Sequence, residues 1–97
     1  MERLTMMELG QWVESNLDFD GIVLTAIEWE HVVNCLEHLQ RWYYDGLPIG
    51  DFLTAVVKDK FTDACCQADA TNQKALVIYA KFCYNKLPGG YREKANV

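Results

Sequence analysis

The stretch that most constrains this chain is residues 25–46, TAIEWEHVVNCLEHLQRWYYDG. Thr25 and Glu28 have the spacing of a capping box, in which a hydroxyl and a carboxylate each accept a hydrogen bond from a backbone amide at a helix start. No proline or glycine interrupts the stretch before Gly46, which favours a stop there. The pattern predicts a long helix from about Ala26 to Tyr44, around which the rest of the chain must pack.

The apolar residues of this helix form a broad core stripe. At about 100° per residue, five side chains lie within roughly 80° of Trp29 and should face inward together with it. The six residues of the stripe are Trp29, Val32, Val33, Leu36, Leu39 and Tyr43. On the polar face, Glu37 and Arg41 are four residues apart in the order that favours an ion pair.

A second sector of the same helix holds His31, Cys35, His38 and Trp42. It is neither charged nor strongly polar, whereas a helix with a single core contact needs only one apolar stripe. We therefore expect this helix to be covered on two sides, either by other helices of the chain or by a second molecule. Trp42, Tyr43 and Tyr44 cannot all face one core, so Trp42 or Tyr44 should lie at the surface or in an interface. His31, Cys35, His38, Trp42 and Tyr44 are thus the candidate protein-interface residues.

The same residues admit two chemical interpretations. His31, Cys35 and His38 share a helical face, but a zinc site usually takes further ligands from another element, and the sequence has no CxxC or HExxH partner motif. Cys35 and His31 could form a nucleophile and base, but a reactive thiolate needs an electropositive setting, and this half of the chain is acidic. We therefore predict no metal, no cofactor and no catalytic residue, and a protein that is not an enzyme.

The remaining segments predict further helices. Thr5 and Glu8 form another capping box, which predicts a helix from Met6 to about Asn16, followed by a turn in LDFDG and an extended IVLT. A third helix should begin at Ile49 or Gly50, with Phe52, Leu53, Val56 and Val57 facing inward. A short helix should carry Phe61, Ala64, Cys65 and Ala68.

The last helix is predicted from Ala70 to about Lys86, with Asp69 as its N-cap. Its apolar residues Leu76, Tyr79, Ala80, Phe82 and Cys83 span much of the helix circumference. Residues 1–97 should thus form a single all-α domain, a small bundle of four to five helices around a long central helix, with a flexible tail at about 89–97. Of the adjacent Cys65 and Cys66, one should pack in the core and the other should be partly exposed.

Charge is unevenly distributed along the chain. The net charge is −5, but residues 1–50 carry −7 and residues 51–97 carry +2. An acidic half disfavours nucleic acid, and no apolar run approaches the roughly 18 residues of a membrane span. No secretory leader is visible, so the cysteines are expected as free thiols in the cytoplasm. The basic residues Lys74, Lys81, Lys86, Arg92 and Lys94 support one alternative, a helical regulatory protein associated with nucleic acid.

From about Arg41 to Pro88 the chain carries a distinctive series of motifs: a GxPxGxFLxAV-like segment, an Ala-Asp pair, an asparagine and a final YNxxP. The residues of these motifs are Gly46, Pro48, Gly50, Phe52, Leu53, Ala55, Val56, Ala68, Asp69, Asn72, Tyr84, Asn85 and Pro88. In these motifs the chain resembles a family of small uncharacterised proteins of tailed phages and prophages. The motif residues end and cap helices, and the family carries no activity to transfer.

These observations favour one functional hypothesis. The chain is expected to be a non-enzymatic, phage-type accessory protein that acts by binding another protein, such as a host or defence factor, in the host cytoplasm. The second sector of the long helix and the charge asymmetry also predict self-association, most simply as a symmetric dimer.

Overall fold

Five α-helices make up the protein in the computed structural model, which describes residues 3–58 and 60–87, apart from the side chains of Phe61, Cys65 and Gln67. They are α1 (Met6–Asp20), α2 (Ala26–Asp45), α3 (Asp51–Val57), α4 (Phe61–Gln67) and α5 (Ala70–Lys86). No strand occurs within those residues, so the predicted all-α bundle is confirmed. The predicted flexible tail lies outside the described residues.

Helix starts follow the capping chemistry of the sequence. The Thr5 hydroxyl accepts from the Glu8 amide at 3.2 Å, and the Glu8 carboxylate accepts from the Thr5 amide at 2.9 Å. Thr25 and Glu28 repeat this reciprocal pair at 3.1 and 3.0 Å. The Asp69 carboxylate accepts from the Asn72 amide at 2.8 Å, so all three predicted N-caps are confirmed.

The first helix is longer than predicted. It continues four residues beyond Asn16, to Asp20, so the residues expected to form a turn are helical. The stop is Gly21, whose φ of 65° lies in the left-handed region that glycine adopts without steric cost. Residues 22–25, which follow this stop, have no regular structure. Further along the chain, α3 ends at Val57.

Helices α2 and α5 form the centre of the bundle. α2 packs against α1 and α5, while α5 also contacts α1 and α3. Four of the six residues predicted for the α2 stripe are buried, namely Val32, Val33, Leu36 and Leu39, and Trp29 and Tyr43 are half-buried. From α5 the core receives Ile78, Tyr79 and Phe82, which are fully buried.

One polar side chain is buried between α2 and the residues that precede α1. Gln40 is 2 % exposed, and its amide accepts from the backbone N–H of Leu4 at 2.8 Å and donates to the carbonyl of Leu4 at 2.9 Å. Arg3 adds an ion pair with Asp45 at 2.8 Å. These contacts fasten the start of the described chain to the second half of α2. Among the described helices, none combines the length and apolar character that a membrane crossing requires.

Candidate functional site

The predicted interface face of α2 is divided by the fold. His31 and His38 are exposed, whereas Cys35 is buried at 8 % exposure and faces the core. Trp42 and Tyr44 are half-buried. The two histidines thus face solvent, while part of the sector is covered by the protein itself. An interface role for these five residues stays a prediction.

Cys35 and His31 are in contact. The Cys35 sulfur lies 3.7 Å from Nε2 of His31, as their one-turn spacing allows. Burial raises the pKa of the Cys35 thiol, so at neutral pH it is protonated and is a poor nucleophile. In the part of the chain that the structure describes, no three histidine, cysteine or carboxylate side chains are grouped as metal ligands.

A chain of buried polar groups continues inward from Cys35. The Tyr79 hydroxyl is fully buried and donates to Oδ1 of Asn72 at 2.5 Å, and burial raises the pKa of this tyrosine. The backbone N–H of Asn72 in turn donates to the carboxylate of Asp69, the N-cap of α5. The buried side chains of Asn72 and Tyr79 thereby have partners, and the hydrogen bond between Tyr79 and Cys35 links α5 to the middle of α2. This arrangement supports the fold and exposes no reactive group.

The aromatic side chains at the end of α2 pack on one another. Trp42 and Tyr43 make an edge-to-face contact with centroids 6.2 Å apart, and Tyr43 and Tyr44 another at 5.0 Å. The Arg3 guanidinium lies 5.9 Å from the Tyr44 ring centroid. All three rings are half-buried, so Trp42 and Tyr44 each keep part of their surface exposed to solvent.

An open apolar groove lies between α3, α4 and α5. Its volume is about 430 Å³. The groove is lined by Ala55, Val56, Lys60, Ala64, Leu76, Val77 and Ala80. Lys60 is the one charged residue of this lining, and it makes no ion pair with another described residue. Among the described residues, the groove is therefore an apolar surface with a single cation at its rim.

The groove was missed by the helical-wheel argument. Val56 was predicted to face inward but is half-buried, while Leu76 and Ala80, predicted only as part of a wide apolar arc on α5, are half-buried and exposed, respectively. The signal for it was the unusually wide apolar arc of α5. A wide apolar arc indicates that burying this surface is favourable, but it does not show whether the chain itself buries it.

The groove continues onto an outer face of α5. This face consists of Gln73, Val77, Ala80 and Tyr84, which recur at helical spacing and are all exposed. Val77 is 41 % and Tyr84 75 % exposed. On the far side of this face, the Phe19 ring of α1 is 84 % exposed, and Nζ of Lys81 lies 4.8 Å from its centroid. A contiguous exposed apolar surface of this kind commonly marks an interaction site.

Two lysines of α5 have their charges compensated within the chain. Lys74 pairs with Glu28 at 2.9 Å, and Lys81 pairs with Asp20 at 2.8 Å. The basic segment suggested for nucleic-acid binding therefore keeps Lys86 without a described ion-pair partner, while Arg92 and Lys94 lie outside the described residues. This pairing reduces the positive potential that α5 offers to phosphates.

Fold and surface together define a small all-α protein with an open apolar groove beside its last helix. No family model matches the chain, and no curated protein or solved structure is similar to it at a significant level.

Proposed function

We propose that the protein acts by binding another protein chain at the groove and the outer face of α5, and that it is not an enzyme. The observation that carries this proposal is the open apolar groove of about 430 Å³, continuous with exposed Val77 and Tyr84. Leaving this surface in water is unfavourable, and covering it with apolar side chains of a partner removes that cost.

The groove suits a protein partner better than a small molecule. It is open to solvent beside residues 76–80 of α5, and alanines at 55, 64 and 80 leave room for the side chains of an approaching helix. Tyr84 offers the kind of exposed aromatic side chain that commonly anchors a protein interface. Lys60 at the rim gives a carboxylate of the partner a pairing position.

The biological setting is part of the proposal. The resemblance of residues 41–88 to phage proteins suggests an accessory protein that modulates a host or defence factor in the host cytoplasm. Self-association as a symmetric dimer is also part of this proposal. The acidic first half of the chain, with a net charge of −7, would favour a partner with a basic surface over a nucleic acid.

Photo-cross-linking tests the site. A photoreactive phenylalanine analogue at position 77 should cross-link to a specific protein, and the same analogue at Met7 should not, although Met7 is 74 % exposed. The cross-linked protein is then purified and its Kd measured against the wild type and Val77→Asp. We expect Val77→Asp to raise the Kd at least about tenfold, or about 1.4 kcal/mol. An unchanged Kd would remove the groove from the proposal.

A further inference from the structure

The geometry points to a second copy of this chain as the occupant of the groove, with Phe19 of each copy inserted into the groove of the other in a two-fold dimer. This inference rests on the proposed function, since it names the partner of the same surface. It starts from the way in which exposed apolar groups are placed on the two sides of α5.

The outer face of α5 has a depression on one side and a projection on the other. At 100° per residue, Leu76 and Ala80 turn toward the groove, whereas Lys74 and Lys81 turn to the opposite side. Lys81 contacts the Phe19 ring and pairs with Asp20, so Phe19 lies beside that opposite side. The depression and the projection are thus separated by the outer face.

Both features lie within about one and a half turns of each other along the helix. The α5 residues of the groove are 76, 77 and 80, and the residue that contacts Phe19 is Lys81. An α-helix rises about 1.5 Å per residue, so Lys81 lies about 1.5 to 7.5 Å from these positions along the axis.

This placement selects one symmetry. A two-fold axis parallel to α5 in the plane of contact exchanges the two sides of the outer face while keeping heights along the helix. It therefore brings Phe19 of one copy opposite the groove of the other, and does so twice. An axis in the same plane but perpendicular to α5 would set groove against groove and Phe19 against Phe19, so that neither ring enters a groove. The contact is closed, as the commonest homo-oligomers are.

The chemistry of the two surfaces agrees with this pairing. Phe19 is 84 % exposed, which is unusual for so large an apolar side chain, and the groove lining is apolar except for Lys60. Asp18, next to Phe19, is exposed and without an ion pair among the residues that the structure describes. A carboxylate beside the projection and an ammonium at the groove rim are complementary between copies.

The Phe19 ring already has one contact within its own chain. It lies 4.8 Å from the Lys81 ammonium, which pairs with the Asp20 carboxylate at 2.8 Å. A contact that restricts the ring in the free chain reduces the conformational entropy that is lost on binding.

Sedimentation equilibrium of the full chain tests the inference. The wild type should show about twice the 11.2 kDa chain mass at micromolar to millimolar concentration. Phe19→Ala and Val77→Asp should each raise the dimer Kd at least tenfold, and Met7→Asp, also on the surface, should leave it unchanged. Phe19 and Val77 are exposed, so the variants should keep the helical circular dichroism of the wild type.

A photoreactive phenylalanine analogue at position 19 provides a second measurement. It should yield cross-linked dimers whose attachment sites map to residues 55–80, and the analogue at position 7 should yield none. A wild type that stays monomeric throughout, or a dimer insensitive to Phe19→Ala, would overturn this inference. Either result would leave the proposed function standing if the analogue at position 77 still captures a different protein.

Discussion

One side of α5 is closed by ion pairs to neighbouring segments, and the other side is left open. On the side toward the α1–α2 connection, Lys74 reaches Glu28 and Lys81 reaches Asp20, so long side chains bridge the gap between helices. On the side toward α3 and α4, alanines and valines leave a groove open. The comparison teaches that a gap beside α5 is bridged where a long side chain finds an ion-pair partner across it, and stays open where small side chains face it.

The open side does not result from a poor core. Directly beneath both sides, Ile78, Tyr79 and Phe82 have no exposed surface. Phe82 makes an edge-to-face contact with Trp12 at 5.4 Å, and Phe52 packs on Tyr79 at 5.5 Å. The groove is therefore a property of one surface of α5, and the following substitutions separate that surface from the core and from the closed side.

Phe82→Ala should have the largest effect. It removes a fully buried ring and leaves a cavity, which we expect to lower the free energy of unfolding by about 3–5 kcal/mol. Urea denaturation followed by circular dichroism measures this loss. The matched control is Tyr84→Ala on the same helix, which should change stability by no more than about 0.5 kcal/mol because Tyr84 is 75 % exposed. Similar losses for the two variants would contradict the division of α5 into an inner and an outer face.

Gly10→Ala should have the next largest effect. A Cβ atom at position 10 would lie 2.8 Å from Cζ2 of Trp29, where α1 and α2 pack closely. Overpacking of about 1–3 kcal/mol should exceed the gain of up to about 1 kcal/mol that alanine brings to a helix, so we expect a net loss of about 1–2 kcal/mol in urea denaturation. A more stable variant would show that the Trp29 ring moves aside without cost.

Lys74→Met tests the closed side through the acid titration of Glu28. The pKa of this carboxylate is lowered from an ordinary 4.5 to about 2, first by the hydrogen bond from the Thr25 amide and then by Lys74. NMR titration should show a higher pKa in the variant, still below 4.5 because the Thr25 amide remains.

The same lowered pKa sets the direction of a pH effect on stability. Glu28 binds a proton more weakly in the folded than in the unfolded chain, so its contribution is complete above about pH 4.5 and is lost as the pH falls toward 2. Lys74→Met should diminish this acid-dependent loss. A titration unchanged by the substitution would mean that the ion pair does not hold the two helices together in solution.

Ala80→Leu should have the smallest effect on stability. The added methyl groups enter the open groove, where they meet no packed neighbour, so we expect a change within about 0.5 kcal/mol. Filling the groove should nevertheless weaken partner binding, which sedimentation and the Kd assay would detect. A loss of several kcal/mol in denaturant would indicate that the groove closes in solution.

Local rules predicted most of the fold from the sequence. Threonine and aspartate caps fixed three helix starts, and the range of α5 was predicted residue for residue. The end of α1 was predicted four residues early because aspartates 18 and 20 were interpreted as turn residues. Their weak preference against helix was overridden, since the chain meets no steric stop until Gly21 adopts a positive φ.

The candidate site was less predictable because it depends on which surfaces other helices cover. Periodicity identified Leu76 and Ala80 as apolar positions but could not show that α4 leaves them open. It also placed Cys35 with two exposed histidines, although its sulfur lies against the core. Gln40 gave no signal, because a glutamine buried for its amide looks in a sequence like one on the surface.

The contact of Gln40 with Leu4 has a consequence for the chain ahead of α1. The amide of Leu4 precedes the first helical residue, yet it donates to a side chain 36 positions away that is 2 % exposed. Its hydrogen should therefore exchange with deuterated solvent on the timescale of global opening, while the neighbouring amide at Thr5, bonded only to the local Glu8, should exchange sooner. Protection from exchange would then begin at Leu4, ahead of the first helical residue, because this segment is bonded to α2.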